Sequence, residues 1–220
     1  MANLKRAAAI EAVKYVQDGM KIGLGSGSTV NEFIHVLGEK VANGLNVQAV
    51  PASKATEALA VELGIKLIEF TQDAQLDLAF DGADEVDKTL DLLKGGGGSL
   101  VREKIVAKAS KELFIIVDES KMVDQLGAFT LPVEIIPFGW KPTAERIKEL
   151  GGVPVLRMDG PDPFISNNYN VILDCDFGTI TDPAGLHTKL KQLVGVVDTA
   201  CFRVWQTECL LQGKIACANI

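Results

Sequence analysis

The first half of the chain alternates between segments with a helical spacing of apolar residues and short apolar segments typical of buried strands. In residues 3–17, for example, Leu4, Ala8, Ala12 and Val16 fall on one helix face. Helices are predicted at 3–17, 29–37, 53–64 and 99–109, and strands at 20–24, 47–50, 66–70, 76–80 and 113–118. This alternation predicts a Rossmann-like parallel sheet covered by helices.

From about residue 128 the order of the elements changes. The predicted elements are the strand PVEIIPF, the helix PTAERIKELGG, the strand VPVLR, the strand FISNNYNVILDC with a turn near 167–170, a helix opened by Asp182-Pro183 and the strand VVDTACF. This β-α-β-β-α-β order is that of a ferredoxin-like unit. We therefore predict an α/β fold with a Rossmann-like catalytic domain at 1–127 plus 206–220. The smaller α+β, ferredoxin-like domain is predicted at 128–205 and is expected to take part in assembly.

Three short apolar segments are each followed by a polar or glycine-rich loop. GSGST (25–29) follows KIGL, DGADEVD (81–87) follows LDLAF, and KGGGGS (94–99) follows LDLL. Ligands of open α/β sheets bind beyond the carboxyl ends of the strands. If all three segments are parallel strands, the three loops converge on one edge of the sheet and form the candidate site.

GSGST has the composition of a phosphate-binding loop. Gly25 and Gly27 allow close approach of the backbone, while Ser26, Ser28 and Thr29 add hydroxyl donors. The helix predicted from Thr29 would direct free N–H groups and its positive end at an anion. The spacing matches neither the dinucleotide fingerprint nor a Walker loop. A tight strand-to-helix turn with a serine cap would use the same residues, so both interpretations stay open here.

DGADEVD places four carboxylates, Asp81, Asp84, Glu85 and Asp87, within seven residues. Such a group can bind a metal, hold sugar hydroxyls or act as acid and base. Because the spacing does not match an EF-hand loop and neither histidine is close in sequence, no metal site is predicted. Asp81, directly after the apolar strand, is expected to point into a cleft, whereas Glu85 and Asp87 are expected in an exposed acidic turn.

KGGGGS supplies a cation, Lys94, and backbone amides that no side chain shields. Glu103 lies one helical turn beyond Ser99, so its carboxylate can face the glycine loop. The alternative is that Glu103 is a surface carboxylate beside Arg102 and Lys104, the usual state of a helical glutamate.

Composition and charge argue against a nucleic-acid partner and against a membrane-spanning or secreted protein. The net charge is −7 and the basic residues do not cluster, which argues against a nucleic-acid partner. The sequence predicts no signal peptide, and it contains no apolar run long enough to span a membrane. The cysteines, Cys175, Cys201, Cys209 and Cys217, have no C-x-x-C spacing, which favours free thiols and a cytoplasmic location.

The motifs GSGST, SKAT, DGADE, KGGGG, REK and DESK (118–121), in this order, together resemble ribose-5-phosphate isomerase of the A type. The resemblance also includes PVEIIPF and the stretch LD-x-x-x-G-x-I-x-DP at 173–183, so it runs through nearly the whole chain. The tail after Phe202, which includes Trp205, departs from the family's pattern.

The resemblance implies an enzyme that interconverts D-ribose 5-phosphate and D-ribulose 5-phosphate in the non-oxidative pentose phosphate pathway. It implies no metal or nucleotide cofactor, and a homodimer or an assembly of dimers. Glu103 is the expected base of a cis-enediolate mechanism, Asp81 is expected to assist ring opening, and Lys94 is expected to stabilise the developing oxyanion. Lys5 is a further candidate. The residues expected to contact the sugar phosphate are Ser26, Gly27, Ser28, Thr29, Asp81, Gly82, Ala83, Asp84, Lys94, Gly95, Gly96, Gly97 and Lys121.

Two other kinds of function fit the same motifs. One is a related sugar-phosphate deaminase, lactonase or acyl-CoA transferase on a similar scaffold. The other is a sensing domain that binds a sugar phosphate without turnover; it would be expected to carry a DNA-binding segment, and none is expected here because the sheet already begins near residue 20.

Overall fold

The predicted alternation of helices and strands is present in the computed structural model, which describes residues 2–72, 75–202, 207–211 and 214–218. The α-helices in these ranges are α1 (Ala2–Ala12), α2 (Ser28–Ala42), α3 (Lys54–Glu62), α4 (Leu100–Lys108), α5 (Trp140–Glu149) and α6 (Pro183–Lys191). Short 3-10 turns occupy Val13–Tyr15 and Glu119–Lys121. The helix predicted at 3–17 is therefore shorter as an α-helix than its apolar spacing indicates.

The strands of the first half are β1 (Lys21–Leu24), β2 (Gln48–Pro51), β3 (Lys66–Leu67), β4 (Leu76–Asp81), β5 (Glu85–Val86), β6 (Leu92–Leu93) and β7 (Ser110–Val117). Those of the second half are β8 (Leu131–Ile135), β9 (Val153–Leu156), β10 (Met158–Asp159), β11 (Asp162–Pro163), β12 (Val171–Asp176), β13 (Val196–Thr199), β14 (Cys201–Phe202), β15 (Thr207–Leu211) and β16 (Lys214–Ala218). Trp205 lies outside the described residues.

The chain clusters into two compact units, which are described separately. The first unit comprises Met1–Ala83, Arg102–Lys121 and Trp205–Ile220, and the second comprises Asp84–Val101 and Met122–Val204. Residues 84–101 thus cluster with the second unit, whereas the sequence-based division assigned them to the first domain. The predicted domain boundaries stay a prediction.

The first unit is built around a seven-stranded sheet in the order β16-β15-β7-β4-β1-β2-β3. All neighbouring pairs are parallel except β15 and β16, which are antiparallel. Phe33 of α2 stacks on Phe80 of β4, which stacks on Phe114 of β7, with ring centroids 4.3 and 5.2 Å apart. Leu24 pairs with Phe80, so β1 and β4 end side by side. The Rossmann-like prediction is confirmed, and the loops after these two strands leave the same edge of the sheet.

The second unit contains a four-stranded antiparallel sheet in the order β13-β8-β12-β9. Helix α5 connects β8 to β9, and α6 connects β12 to β13. Alternate residues of β8, Leu131, Val133 and Ile135, join Ile147 of α5 and Leu190 of α6 in one buried core. The split βαβ topology predicted from the element order is therefore confirmed.

In the second unit, one condition set in the sequence analysis, that all three apolar segments are parallel strands, is not met, and one predicted strand is wrong. LDLL does not form a parallel strand: Leu92–Leu93 pairs antiparallel with both β5 and β14. VVDTACF is not one strand, because the chain changes sheets at Ala200. The N–H of Ala200 donates to the carbonyl of Pro132, and its own carbonyl accepts from the N–H of Lys94. The preceding residues pair with β8 and the following ones with β6.

Local sequence signals set several helix ends. The Ser53 side chain accepts a hydrogen bond from the N–H of Thr56 at the start of α3, and Gly64 follows that helix with φ +70°. Asp182 likewise accepts from the N–H of Gly185 at the start of α6. Helix α4 begins directly after Ser99, as predicted. These caps satisfy backbone groups that a helix leaves without an internal partner.

Neither Cys175 nor Cys201 forms a disulfide bond, and both residues are buried. Burial raises the pKa of the Cys175 thiol well above its ordinary value. Within the described ranges, the helices are too short or too polar to cross a lipid bilayer.

Candidate active site

The GSGST loop connects β1 to the first turn of α2. Gly27 precedes the helix with φ +100°, a backbone conformation that favours glycine, and α2 begins at Ser28. The amides of the first helical turn have no partner within the helix, and the helix dipole adds positive potential there. Ser28 and Gly27 are exposed, and Thr29 is half-buried. The loop therefore presents backbone amides and hydroxyls suited to an anion.

Gly25 and Asp81 are in such close contact that no larger residue fits at position 25. A Cβ atom on Gly25 would lie 2.2 Å from the Asp81 carboxyl carbon. The Asp81 carboxylate accepts hydrogen bonds from the N–H of Gly82 at 2.8 Å and of Ser26 at 3.3 Å. Asp81 is buried, and its orientation into a cleft stays a prediction.

Thr56 also contacts the GSGST loop, although the sequence did not identify it as a functional residue. Its buried hydroxyl donates to the carbonyl of Gly25 at 2.8 Å and accepts from the Ser53 hydroxyl at 2.9 Å. The N–H of Gly25 donates to the carbonyl of Phe80. Thr56 belongs to SKAT, so the motif was visible, but its contact with a loop 31 residues away was not.

Glu103 is a buried carboxylate rather than a surface residue. Its side chain is 4% exposed, and Oε1 accepts a hydrogen bond from the Ser26 hydroxyl. Glu103 lies in the first turn of α4, where a carboxylate is favoured by the helix dipole. The alternative of a solvated helical glutamate is therefore wrong. Ser26 of the GSGST loop is hydrogen-bonded to Glu103, the predicted base.

Two lysines add positive charge in the first unit. The Lys5 ammonium donates to the Ser28 hydroxyl at 2.7 Å. Lys121 ends the 3-10 turn that Asp118 stabilises: the Asp118 carboxylate accepts from the Ser120 hydroxyl and N–H. The pKa of Asp118 is lowered mainly by the Ser120 hydroxyl, with smaller contributions from the charges of Lys121 and Lys5.

In the second unit, the glycine loop begins with a buried lysine, Lys94, and contacts the carboxylate of Asp84. Lys94 is 2% exposed, and its ammonium lies 5.3 Å from the centre of the Phe202 ring. The N–H of Gly96 donates to the Asp84 carboxylate at 2.9 Å. Gly95 is buried with φ +84°, whereas Gly96 and Gly97 are exposed. KGGGGS is therefore an ordered turn that leaves two of its glycines accessible.

Glu85 and Asp87 do not form an exposed acidic turn, contrary to the prediction. Glu85 is 4% exposed, and its carboxylate accepts from the N–H groups of Gly127 and Phe129 at 2.7 and 2.6 Å. Asp87 is 8% exposed and accepts from the N–H groups of Thr89 and Asp91. Both carboxylates are buried because they satisfy backbone amides of nearby loops.

The predicted site residues are thus distributed over both units. Those in the first unit are Ser26, Gly27, Ser28, Thr29, Asp81, Gly82, Ala83, Glu103 and Lys121. Those in the second unit are Asp84, Lys94, Gly95, Gly96 and Gly97. The described residues contain no group of three or more His, Cys, Asp or Glu side chains placed to hold a metal ion.

A Rossmann-like sheet with an anion-type loop, a lysine at that loop and a buried carboxylate hydrogen-bonded to it is typical of an α/β enzyme that acts on a small phosphorylated molecule. Residues 48–214 match the family described as ribose 5-phosphate isomerase A (phosphoriboisomerase A). The chain belongs to this family, and its reaction is the isomerisation of ribose 5-phosphate, a step of the pentose phosphate pathway.

Similar proteins agree along nearly the whole chain. Ribose-5-phosphate isomerase A of Shouchella clausii (strain KSM-K16) is 61% identical over 97% of this chain and 94% of its own length. The solved ribose 5-phosphate isomerase of Plasmodium falciparum has a TM-score of 0.93 at 36% identity and covers 100% of this chain and 99% of its own. A D-ribose-5-phosphate isomerase solved in complex with phospho-erythronic acid has a TM-score of 0.91 at 36% identity, with 97% and 96% covered.

Proposed function

We propose that this chain interconverts D-ribose 5-phosphate and D-ribulose 5-phosphate through a cis-enediolate, with Glu103 as the base. The observation that carries the proposal is the buried Glu103 carboxylate held by the Ser26 hydroxyl. One carboxylate serves both half-reactions, because the proton removed from C2 is returned to C1 on the same face of the enediolate. A positioned base contributes about 10²–10⁴ in rate.

The phosphate is assigned to the loop residues Ser26, Gly27, Ser28 and Thr29. Its support is the free first turn of α2 and the Lys5 ammonium at the Ser28 hydroxyl. The Ser26 hydroxyl donates to Glu103 and the Ser26 N–H donates to Asp81, so a bound phosphate would have to replace one of these two acceptors at Ser26.

The sugar hydroxyls are assigned to Asp81, Gly82, Ala83 and Asp84, with Lys121 as a further contact. Asp81 also assists ring opening, since the furanose must open before the C2 proton becomes acidic. Support comes from the fixed orientation of the Asp81 carboxylate, which two backbone amides hold.

The enediolate oxygen is assigned to Lys94 and the amides of Gly95, Gly96 and Gly97. Donors held in place before the reaction stabilise charge that develops in the transition state, commonly the largest catalytic contribution. Support comes from the ordered glycine turn and from the burial of Lys94, which strengthens its interaction with a negative charge.

The decisive experiment compares Glu103→Gln with the exposed control Glu112→Gln. Glu103→Gln is expected to bind phospho-erythronic acid, the ligand of the related structure, but to lose turnover by at least about 10²-fold. Exchange of the C2 hydrogen with solvent should be lost in parallel, while Glu112→Gln behaves as the wild type. Near-normal turnover of Glu103→Gln would reject Glu103 as the base.

We also infer a homodimer or an assembly of dimers, a cytoplasmic location and catalysis without a metal or nucleotide cofactor. These proposals rest on the family assignment. Light scattering measures the assembly, and activity that persists after treatment with EDTA is the result expected for a metal-free reaction. Loss of activity with EDTA, restored by a divalent cation, would contradict it. None of the similar proteins described above favours the alternative functions, which were a deaminase, a lactonase, a CoA transferase and a sensing domain.

A further inference from the structure

Arg157, one residue beyond β9, connects the sheet of the second unit to the glycine loop. Its Nε and Nη2 atoms donate to the two oxygens of the Asp174 carboxylate, at 2.9 and 2.5 Å. Its Nη1 atom donates to the carbonyls of Gly95 and Gly96, at 3.0 and 3.1 Å. The Arg157 side chain is 14% exposed, and Asp174 lies on β12, the neighbouring strand. A single guanidinium therefore joins one carboxylate and two consecutive carbonyls of the loop.

These contacts determine where the loop amides point. In a trans peptide the carbonyl and the following N–H point in opposite directions, and the described residues contain no cis peptide bond. With the Gly95 and Gly96 carbonyls turned towards Arg157, the N–H groups of Gly96 and Gly97 must point away from it. The Gly96 N–H accordingly donates to the Asp84 carboxylate. Arg157 and the turn hydrogen bond from the Gly98 N–H to the Gly95 carbonyl thus orient both peptide groups. Because the Gly96 N–H donates to Asp84, the Gly97 N–H is the amide of this pair that can serve the enediolate.

The glycine loop has an internal turn hydrogen bond, from the Gly98 N–H to the Gly95 carbonyl, and further contacts with Arg157 and Phe164. Glycine has more backbone freedom than any other residue, and Gly98 requires a left-handed conformation with φ +79°. A Cβ atom on Gly98 would lie 2.5 Å from the Phe164 ring. The N–H of Phe164 donates to the carbonyl of Arg157, and the guanidinium lies 5.8 Å from the centre of the ring. Arg157 and Phe164 therefore add contacts that restrict a run of glycines, the residue with the greatest backbone freedom.

We propose that Arg157, oriented by Asp174, is a positioning residue for the isomerisation, which holds the Gly97 amide towards the enediolate and the Gly96 amide on Asp84. The inference rests on the proposed role of the glycine loop in stabilising the enediolate. Arg157 acts through the loop backbone, so its loss should weaken transition-state stabilisation more than binding of the substrate. The effect should appear in kcat, with a smaller change in KM.

Arg157→Lys is the main test, because a lysine keeps the charge but cannot supply the planar, forked set of donors. We expect kcat to fall by about 10²-fold, the range seen when one oxyanion donor is lost, with KM changed less than about threefold. Hydrogen–deuterium exchange should increase in the peptide that covers residues 94–99 and nowhere else. Arg146→Lys, an exposed substitution of the same type on α5, should leave kcat and exchange unchanged.

Asp174→Asn is the second variant, since it keeps the shape of the partner and removes its charge. Asp174→Asn should lower kcat and increase hydrogen–deuterium exchange at residues 94–99, as Arg157→Lys does, but both effects should be smaller. Normal kcat in Arg157→Lys would overturn the positioning role. Exchange that rises throughout the second unit, with a matching loss of thermal stability, would also overturn it in favour of a general structural role.

Lys94→Ala separates failure of this inference from failure of the proposed function. If Lys94→Ala loses kcat while Arg157→Lys does not, the glycine loop acts as proposed and Arg157 does not position it. If neither variant loses kcat, the proposed role of the loop itself is wrong.

Discussion

Replacing Thr56 by valine tests whether a buried hydroxyl holds the GSGST loop. Valine keeps the shape of threonine and its β-branched backbone preference but removes the oxygen. The carbonyl of Gly25 then loses its 2.8 Å donor, and the Ser53 hydroxyl loses its 2.9 Å acceptor. Because Thr56 is 1% exposed, solvent does not readily replace these partners.

The expected cost follows from the groups left unsatisfied. A buried polar group that loses its partner costs about 1–3 kcal/mol, so we expect the free energy of unfolding to fall by about 2 kcal/mol. For a chain of this length, that corresponds to a decrease in Tm of roughly 4–8 °C. Without the Thr56 hydroxyl, the GSGST loop must be ordered when the substrate binds. If this ordering costs about 1 kcal/mol of binding free energy, KM rises about fivefold.

Calorimetry and steady-state kinetics on Thr56→Val and Thr56→Ser provide the assay. Thr56→Ser keeps the hydroxyl and removes a methyl group, a loss of about 0.8 kcal/mol, so its KM should remain close to that of the wild type. Equal KM values for the two variants would refute the reasoning, since the hydroxyl would then contribute nothing to the loop.

Two further predictions concern the stability of each unit. The folded-state pKa of Asp118 is lowered, chiefly by the Ser120 hydroxyl, so its stabilising contribution is present above the unfolded pKa of about 4 and disappears as the pH falls through the lower folded value. Wild type should therefore exceed Asp118→Asn in urea-unfolding stability at pH 6, and the difference should vanish towards pH 2; a constant difference would contradict this. Asn170 donates at 2.8 Å to the carboxylate of Glu134, which is fully buried. Asn170→Ala should cost about 1.5–3 kcal/mol in the same measurement, whereas the exposed control Asn46→Ala should cost under about 0.5 kcal/mol.

The apolar pattern predicted the architecture because local spacing reports which face of an element is buried. It failed where a short segment could join more than one sheet. LDLL has the apolar composition of a parallel strand, yet Leu92–Leu93 pairs antiparallel with two short strands. VVDTACF likewise reads as one strand, although the chain changes sheets at Ala200. Strand partners are long-range contacts, and spacing within a segment carries no information about them.

Charged residues show the same limit. Glu85 and Asp87 look like a solvated acidic turn, but both are buried because loop amides need acceptors. Arg157 gave no signal at all, since one arginine after a strand usually lies at the surface. Its contacts join residues 61 and 62 positions apart in the chain. A side chain's partners, rather than its charge, decide whether it is buried.

The sequence by itself determined the α/β architecture, the family and the candidate chemical groups, because these depend on periodicity and on ordered motifs. The tertiary structure decided which of those groups are buried and which hydrogen bonds they form. Within the first unit, the adjacent ends of β1 and β4 place Gly25 against Asp81, and Glu103 accepts a hydrogen bond from Ser26. Within the second unit, Arg157 orients the glycine loop. Burial and hydrogen bonding between distant residues exist only after the chain has folded, so no local pattern could specify them.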